Sequence, residues 1–204
     1  MRYQITQTLI GSWVYLSNCR DECKEDAYND FLNTLNRIPT EPNEAMQNGL
    51  EFEKAVYAVA KGDLLQSGHK WANGISSVAT AIKGAQTQVK ASRELRIGDM
   101  TLFVYGILDA LKAGTIYDVK FLNKSFGSAE LAGKYLDSPQ HPTYFYIVPE
   151  AREFIYLVSD GEDLYTERYT RENSRPFEEV AREFLASLAA MNLLDTYKEK
   201  WALK

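Results

Sequence analysis

The stretch from Thr101 to Phe121 constrains the fold of this chain more than any other. Residues 101–111 are rich in β-formers and bounded by turn signals, Ala113-Gly114 reads as a turn, and Thr115 to Phe121 reads as a second strand, so the two strands make a hairpin. In the second strand Ile116, Tyr117, Val119 and Phe121 form a nearly continuous apolar run, the pattern of a strand buried in the middle of a sheet. Asp118 and Lys120 interrupt that run, and Asp109 stands near the end of the first strand. Charged groups are rarely buried without partners, so their placement here asks for an explanation.

The rest of the chain supplies layers for such a sheet. Residues near 5–17 and 22–37 read as helices broken around Asn18, and Pro39 and Pro42 mark a loop. Asn43 caps a helix over 44–61, with Glu44 in its first turn, Gly62 after its end and an apolar face of Ala55, Val56, Val59 and Ala60. A further helix is expected at 74–90 and a strand at 93–98. Beyond the hairpin, residues 128–136 and 138–148 look helical, although Pro139 and Pro142 trouble the second start. Residues 153–158 and 164–169 pair around a Ser159-Asp160-Gly161 turn. Ser174 then caps a helix with Pro176, Glu178 and Glu179 in its first turn, and a shorter helix runs to Trp201. Helices, strands, a helix, strands and helices in that order fit an α/β fold, a central mixed β-sheet flanked by helices.

Composition excludes several classes. With 204 residues, 45% hydrophobic and 25% charged, the chain suits one ordinary domain and is not disordered. No apolar run approaches the ~18 residues of a membrane-spanning helix. Met1-Arg2-Tyr3-Gln4 lacks the apolar core of a secretion signal, so the cytoplasm is expected. Two cysteines, Cys19 and Cys23, make no disulfide framework and read as ordinary helix thiols; His69 has no recognisable partner. A net charge of −5 argues against coating nucleic acid by bulk positive charge, but not against handling it locally.

Side chains alternate along a strand, so Asp118 and Lys120 share a face and Val119 takes the other. If Asp109 comes across the hairpin to that face, three charged groups converge. Two unpartnered carboxylates would repel each other, and a hard divalent cation such as Mg²⁺, which takes oxygen ligands, resolves the conflict. Lys120 would then stand beside an attacking water or a phosphate, an arrangement suited to hydrolysing a phosphodiester. Taken alone, Asp-x-Lys on a strand is commonly a salt-bridged edge; the apolar residues around this one speak against solvated surface.

The wider pattern is Gly106-x-x-Asp109, eight residues, Asp118-x-Lys120, then Gln140-x-x-x-Tyr144, with Gly49-x-x-x-Glu53 upstream on a predicted helix. In this order it resembles the PD-(D/E)xK nuclease superfamily, and within it the RecB-like branch that includes phage exonucleases of the lambda type. Gln7 to Cys19 also looks like the family's opening helix, so the resemblance covers roughly residues 5–148. It implies a restriction-endonuclease-like core within a single domain over 1–204, with the motifs in about 44–148 and C-terminal strands and helices over about 150–204. It implies Asp109 and Asp118 as metal ligands, with the Val119 carbonyl as a third and Glu53 completing the shell. Glu51 competes with Glu53 but misses the Gly-x-x-x-Glu spacing. Lys120 would position or help deprotonate the attacking water. Gln140 would contact the DNA backbone or orient the lysine, Tyr144 would contact DNA or brace its helix, and Lys124 would add to DNA binding. His141 and Pro142 inside the last box depart from the family's pattern.

The activity implied is metal-dependent DNA hydrolysis, most simply by an exonuclease of phage or bacterial recombination or repair. An endonuclease on the same core and a non-catalytic nucleic-acid-binding or assembly module are the alternatives. The implied cofactor is Mg²⁺ or Mn²⁺; the C-terminal region lacks the cysteines of relatives that hold an iron–sulfur cluster, so none is expected. DNA is the implied partner, with a recombination protein and further copies of the chain as additional ones, and no membrane. Lys83, Lys90, Arg93, Arg96, Lys112, Lys120, Lys124 and Lys134 form either a phosphate-tracking strip or an ordinary solvated face.

Overall fold

A computed structural model describes residues 1–203, without the side chains of residues 128 and 129. The chain opens with strand β1 (Arg2–Thr6), and the Thr6 hydroxyl caps α1 (Gln7–Asn18) by accepting from the Leu9 amide at 3.3 Å. A short 3-10 turn leads to α2 (Lys24–Leu35). The next helix, α3 (Glu44–Ala60), is capped by Asn43, which accepts from the Met46 amide at 2.9 Å. There follow α4 (Ala72–Ala81), β2 (Gln86–Ile97), β3 (Met100–Lys112), β4 (Thr115–Phe121), α5 (Ser128–Leu131) and α6 (Gln140–Ile147). The chain ends with β5 (Glu153–Ser159), β6 (Leu164–Thr170), α7 (Phe177–Ala190) and α8 (Leu194–Trp201).

Several local expectations are corrected. Residues 2–6 form a strand, because Tyr3 and Ile5 bury themselves by parallel pairing with β3, a partner about a hundred residues away that no local pattern announces. The helix expected over 74–90 stops at Ala81; Gly84 turns the chain at φ 77°, and residues from Gln86 onward join β2, so that strand begins well before residue 93. Helix α5 spans only four residues, and Gly133 at φ 75° lies in the turns that follow it. Pro142 is tolerated in α6 because the first-turn amides of a helix have no intrahelical acceptor to lose. Ser174 does not cap α7: the helix starts at Phe177 directly after Pro176, and the Ser174 hydroxyl is buried without a hydrogen-bond partner.

The six strands form one mixed sheet. β3 is bordered on one side by antiparallel β2 along nearly its full length. Its other side is shared: β1 runs parallel to residues 101–105, and β4 runs antiparallel to residues 110–112. β4 then pairs in parallel with β5, and β5 antiparallel with β6. Ala113 and Gly114 both have positive φ, 50° and 82°, the backbone of a two-residue turn whose twist matches a hairpin. Helices α1, α2, α6, α7 and α8 contribute to the main core on one face, among them Leu9, Phe31, Phe145, Phe184 and Tyr197, which cluster with Leu102, Val104 and Phe154 of the sheet. On the other face Phe52 and Val56 of α3 and Ile75 and Val78 of α4 cover Ala110, Val119, Ile155 and Leu157.

Candidate metal centre

The sharing of β3 between β1 and β4 leaves residues 106–109 without a strand partner on that side. Side chains satisfy this opening instead. The Tyr144 hydroxyl donates to the Ile107 carbonyl at 2.8 Å, and the Val119 amide donates to Asp109 Oδ2 at 2.8 Å. Gly106 is required here, since a Cβ would lie 2.5 Å from Cε1 of Tyr144. On the β2 side the ladder also lapses at one point: Thr87 pairs with Ala110 and Val89 with Leu108, while Gln88 and Asp109 between them do not pair, and Gln88 has φ 55°. Alternation reverses across this lapse, for Leu108 enters the main core and Ala110 the second one. Asp109 thereby turns toward β4 and meets it through a backbone amide.

β4 carries the remaining strand residues. Val119 is buried in the second core, while Asp118, 2% exposed, and Lys120 lie toward the opposite face. Asp118 Oδ1 accepts a hydrogen bond from the Gln140 side-chain amide at the first turn of α6. The Lys120 ammonium lies 2.7 Å from Asp118 Oδ2, yet its angle is not that of a good hydrogen bond and Oδ2 has no other donor. The short distance makes this contact an ion pair. Glu53 reaches the same opening from α3 and accepts from Tyr57 and, at 3.1 Å, from Gln88. Glu51 points elsewhere, to Lys70 at 3.4 Å across an exposed pair.

These groups act on one another. Burial, then the charges of Asp118 and Glu53, push the Asp109 carboxyl up to about 8, against the pull of the Val119 amide and Lys120. Burial likewise pushes Asp118 up, opposed chiefly by Lys120. For Lys120 burial disfavours the charge, but Asp118, Asp109 and Glu53 outweigh it and hold the ammonium above its ordinary value. Tyr57 is raised by burial and by the neighbouring carboxylates. Three carboxylates thus face one lysine.

Among the described residues no group of three or more His, Cys, Asp or Glu side chains is placed to hold a metal ion. Each of the three carboxylates has other partners: Gln140 and Lys120 hold Asp118, the Val119 amide holds Asp109, and Tyr57 and Gln88 hold Glu53. The donor chemistry fits a hard divalent cation, because the available groups are oxygens, one buried carboxylate oxygen lacks a hydrogen-bond donor, and the negative charge is in surplus. An open cleft of about 470 Å³ lined by Met46, Gly49, Leu50, Glu53, Lys120 and Phe121 reaches Glu53 and Lys120.

The other motif residues have structural partners. Gln140 bonds the carboxylate rather than the lysine, and Tyr144 braces β3. His141 is buried, stacked on Tyr169 at 4.1 Å with Nδ1 3.2 Å from the Tyr156 hydroxyl, and burial lowers it to about 4. Lys124 is exposed in the loop after β4. Tyr57 and Gln88 were absent from the sequence reading. Tyr57 follows Glu53 by one helical turn, a spacing that signals contact; nothing local marks Gln88.

No family model matches the chain, and no curated protein is detectably similar in sequence. Among solved structures, that of SSO0001 is similar with a TM-score of 0.53 at 14% identity, over 93% of this chain and 76% of that one. LHK-Exo in complex with dAMP gives a TM-score of 0.49 at 16% identity, over 96% and 92%. Candida albicans Rai1 in complex with pU5-Mn²⁺ gives 0.37 at 12% identity, over 93% and 62%. The likeness to SSO0001 is one of fold: the α/β arrangement, a mixed sheet flanked by helices.

Proposed function

We propose that this chain hydrolyses phosphodiester bonds of DNA with a divalent cation, working inward from a strand end. The observation that carries the proposal is the convergence of Glu53, Asp109 and Asp118 with Lys120 where β3 and β4 part, three carboxylates against one ammonium. The choice of DNA and of a strand end rests on the resemblance in motif order.

Glu53, Asp109, Asp118 and the Val119 carbonyl would hold Mg²⁺ or Mn²⁺, which supplies Lewis-acid activation of the phosphodiester and of water. Asp118 is oriented for that task by Gln140, a positioning residue. Lys120, with its side chain 33% exposed, can extend from Asp118 toward a phosphate oxygen in the cleft. There it would position or help deprotonate the attacking water and stabilise charge that develops on the phosphate. Tyr57 and Gln88 keep Glu53 directed at the opening. Tyr144 keeps the edge of β3 from closing on β4.

The test is digestion of end-labelled linear DNA with Mg²⁺ or Mn²⁺, beside Asp118→Ala, an EDTA control and a covalently closed circle. Wild type is expected to shorten the linear DNA only with metal and to leave the circle intact, with Asp118→Ala slower by roughly a hundredfold or more. Cleavage of the circle would replace the exonuclease with an endonuclease. A folded wild type that digests neither single- nor double-stranded DNA would overturn the proposal.

A further inference from the structure

We propose that the bare sheet face of β1, β3 and β2 is the track along which a single strand of nucleic acid reaches the site. This rests on the nuclease reading above and adds to it the form of the substrate and the surface that holds it.

Leu102, Val104 and Leu108 of β3 point into the main core, so Thr101, Phe103, Tyr105 and Ile107 point the other way. Among the described residues the second core does not extend that far: it takes Ala110 from β3 and no residue of β1 or β2. The second core thus leaves this face of the three strands open, with Thr101, Phe103 and Tyr105 half-buried between their strand neighbours. Ile107 is 38% exposed at its inner end, and Asp109 comes two residues later.

The register shows what surrounds this column. Phe103 lies between Gln4 and Glu94, Tyr105 between Thr6 and Ser92, and Thr101 between Arg2 and Arg96, while Lys90 is opposite Ile107. Two aromatic rings thus stand in line about 7 Å apart along the strand. The Arg2 guanidinium lies 5.7 Å from the centre of the Phe103 ring and pairs with Glu94. Arg2, Lys90 and Arg96 against Glu94 make the face positive on a chain whose net charge is −5.

Cations spaced along aromatic rings match a polymer with a charged backbone and flat bases. A duplex keeps its bases inside and could not lay them on Phe103 and Tyr105, so the occupant is single-stranded. A protein partner is the weaker match, since charged residues are depleted at the centres of protein interfaces. Proximity gives the direction: Ile107 of this face is two residues from Asp109, which turns toward β4 at the opening that Glu53 reaches from α3.

Anisotropy of a labelled 12-nucleotide oligothymidylate, in EDTA so that no hydrolysis intervenes, tests the track. Tyr105→Ala and the double variant Lys90→Glu/Arg96→Glu are compared with wild type, with Arg182→Glu, an exposed residue of α7, as a charge control and thermal melting as a check on folding. Wild type is expected to prefer the single strand to a duplex of equal length. Both face variants should bind at least tenfold more weakly, Arg182→Glu should match wild type, and the double variant, with two phosphate contacts fewer, should show a salt dependence shallower by about 1.4 in the log–log slope. Equal binding by the face variants overturns the track and leaves the nuclease reading standing if wild type digests DNA. Loss of binding in the face variants without any digestion by wild type supports the track and removes the nuclease. Self-association of wild type that Tyr105→Ala abolishes, with no oligonucleotide bound, overturns the track in favour of a contact between copies.

Discussion

Asp109 carries the cost of the site. Its carboxylate is buried beside two others, and its one strong compensation is the amide of Val119. Asparagine there keeps an oxygen for that amide and removes the repulsion. Asp109→Asn is therefore expected to raise the stability of the metal-free protein by about 1–3 kcal/mol, measured by urea denaturation, with loss of DNA digestion. In the same variant Mg²⁺ or Mn²⁺ should no longer raise the melting temperature as it does for wild type. A less stable Asp109→Asn would mean that the carboxylate is a structural acceptor and not a poised ligand. The partners of the site were unevenly legible. Asp118 and Lys120 stood out as charges in an apolar strand, and Tyr57 could have been found one turn after Glu53. Gln88 could not, because its role depends on a positive φ that only the paired strands impose.

Among the elements, the hairpin β3–β4 and helix α6 depend on one glycine. Gly106 leaves room for the Tyr144 ring, whose hydroxyl satisfies the Ile107 carbonyl on the unpaired edge. Gly106→Ala should cost about 1–3 kcal/mol, since Tyr144 is buried and cannot swing aside freely. In a Tyr144→Ala background the same substitution should cost much less, a coupling that chemical denaturation of the four proteins would measure. Equal costs in both backgrounds would show that the ring is not what excludes a side chain. The hairpin itself was readable from β-formers around Ala113-Gly114. β1 and the first half of β2 were not, because a short strand paired to a distant one leaves little local pattern.

Across the whole molecule, one contribution to acid stability comes from His141, which joins α6 to the β5–β6 pair through Tyr156 and Tyr169. Its native value, about 4, lies below the ordinary 6.5. Between these values the unfolded chain binds a proton at His141 that the native protein does not, so the contribution of this residue falls as pH drops from about 6.5 toward 4, opposite in sign to that of the raised Asp109 and Asp118 carboxyls. The loss attributable to this residue is about 3 kcal/mol. His141→Phe keeps a ring and cannot titrate, so its unfolding free energy relative to wild type should rise by about 3 kcal/mol as pH falls from about 6.5 to 4 in parallel urea titrations. Identical pH profiles for the two proteins would show that His141 is protonated in the fold or solvated.

The sequence by itself determined the alternation of helices and strands, the cap at Asn43, the hairpin and the order of the chemical boxes. All of these are written in spacings of a few residues. Only the tertiary structure decided that β3 is shared between β1 and β4, that the opening between them turns Asp109 toward Val119, and that α3 brings Glu53 to the same place. It also decided that one face of β1, β3 and β2 is left bare. The reason is that alternation and propensity act along the chain, whereas an unpaired strand edge or an uncovered face is a property of neighbours far apart in sequence, set by which surfaces the packed layers can reach.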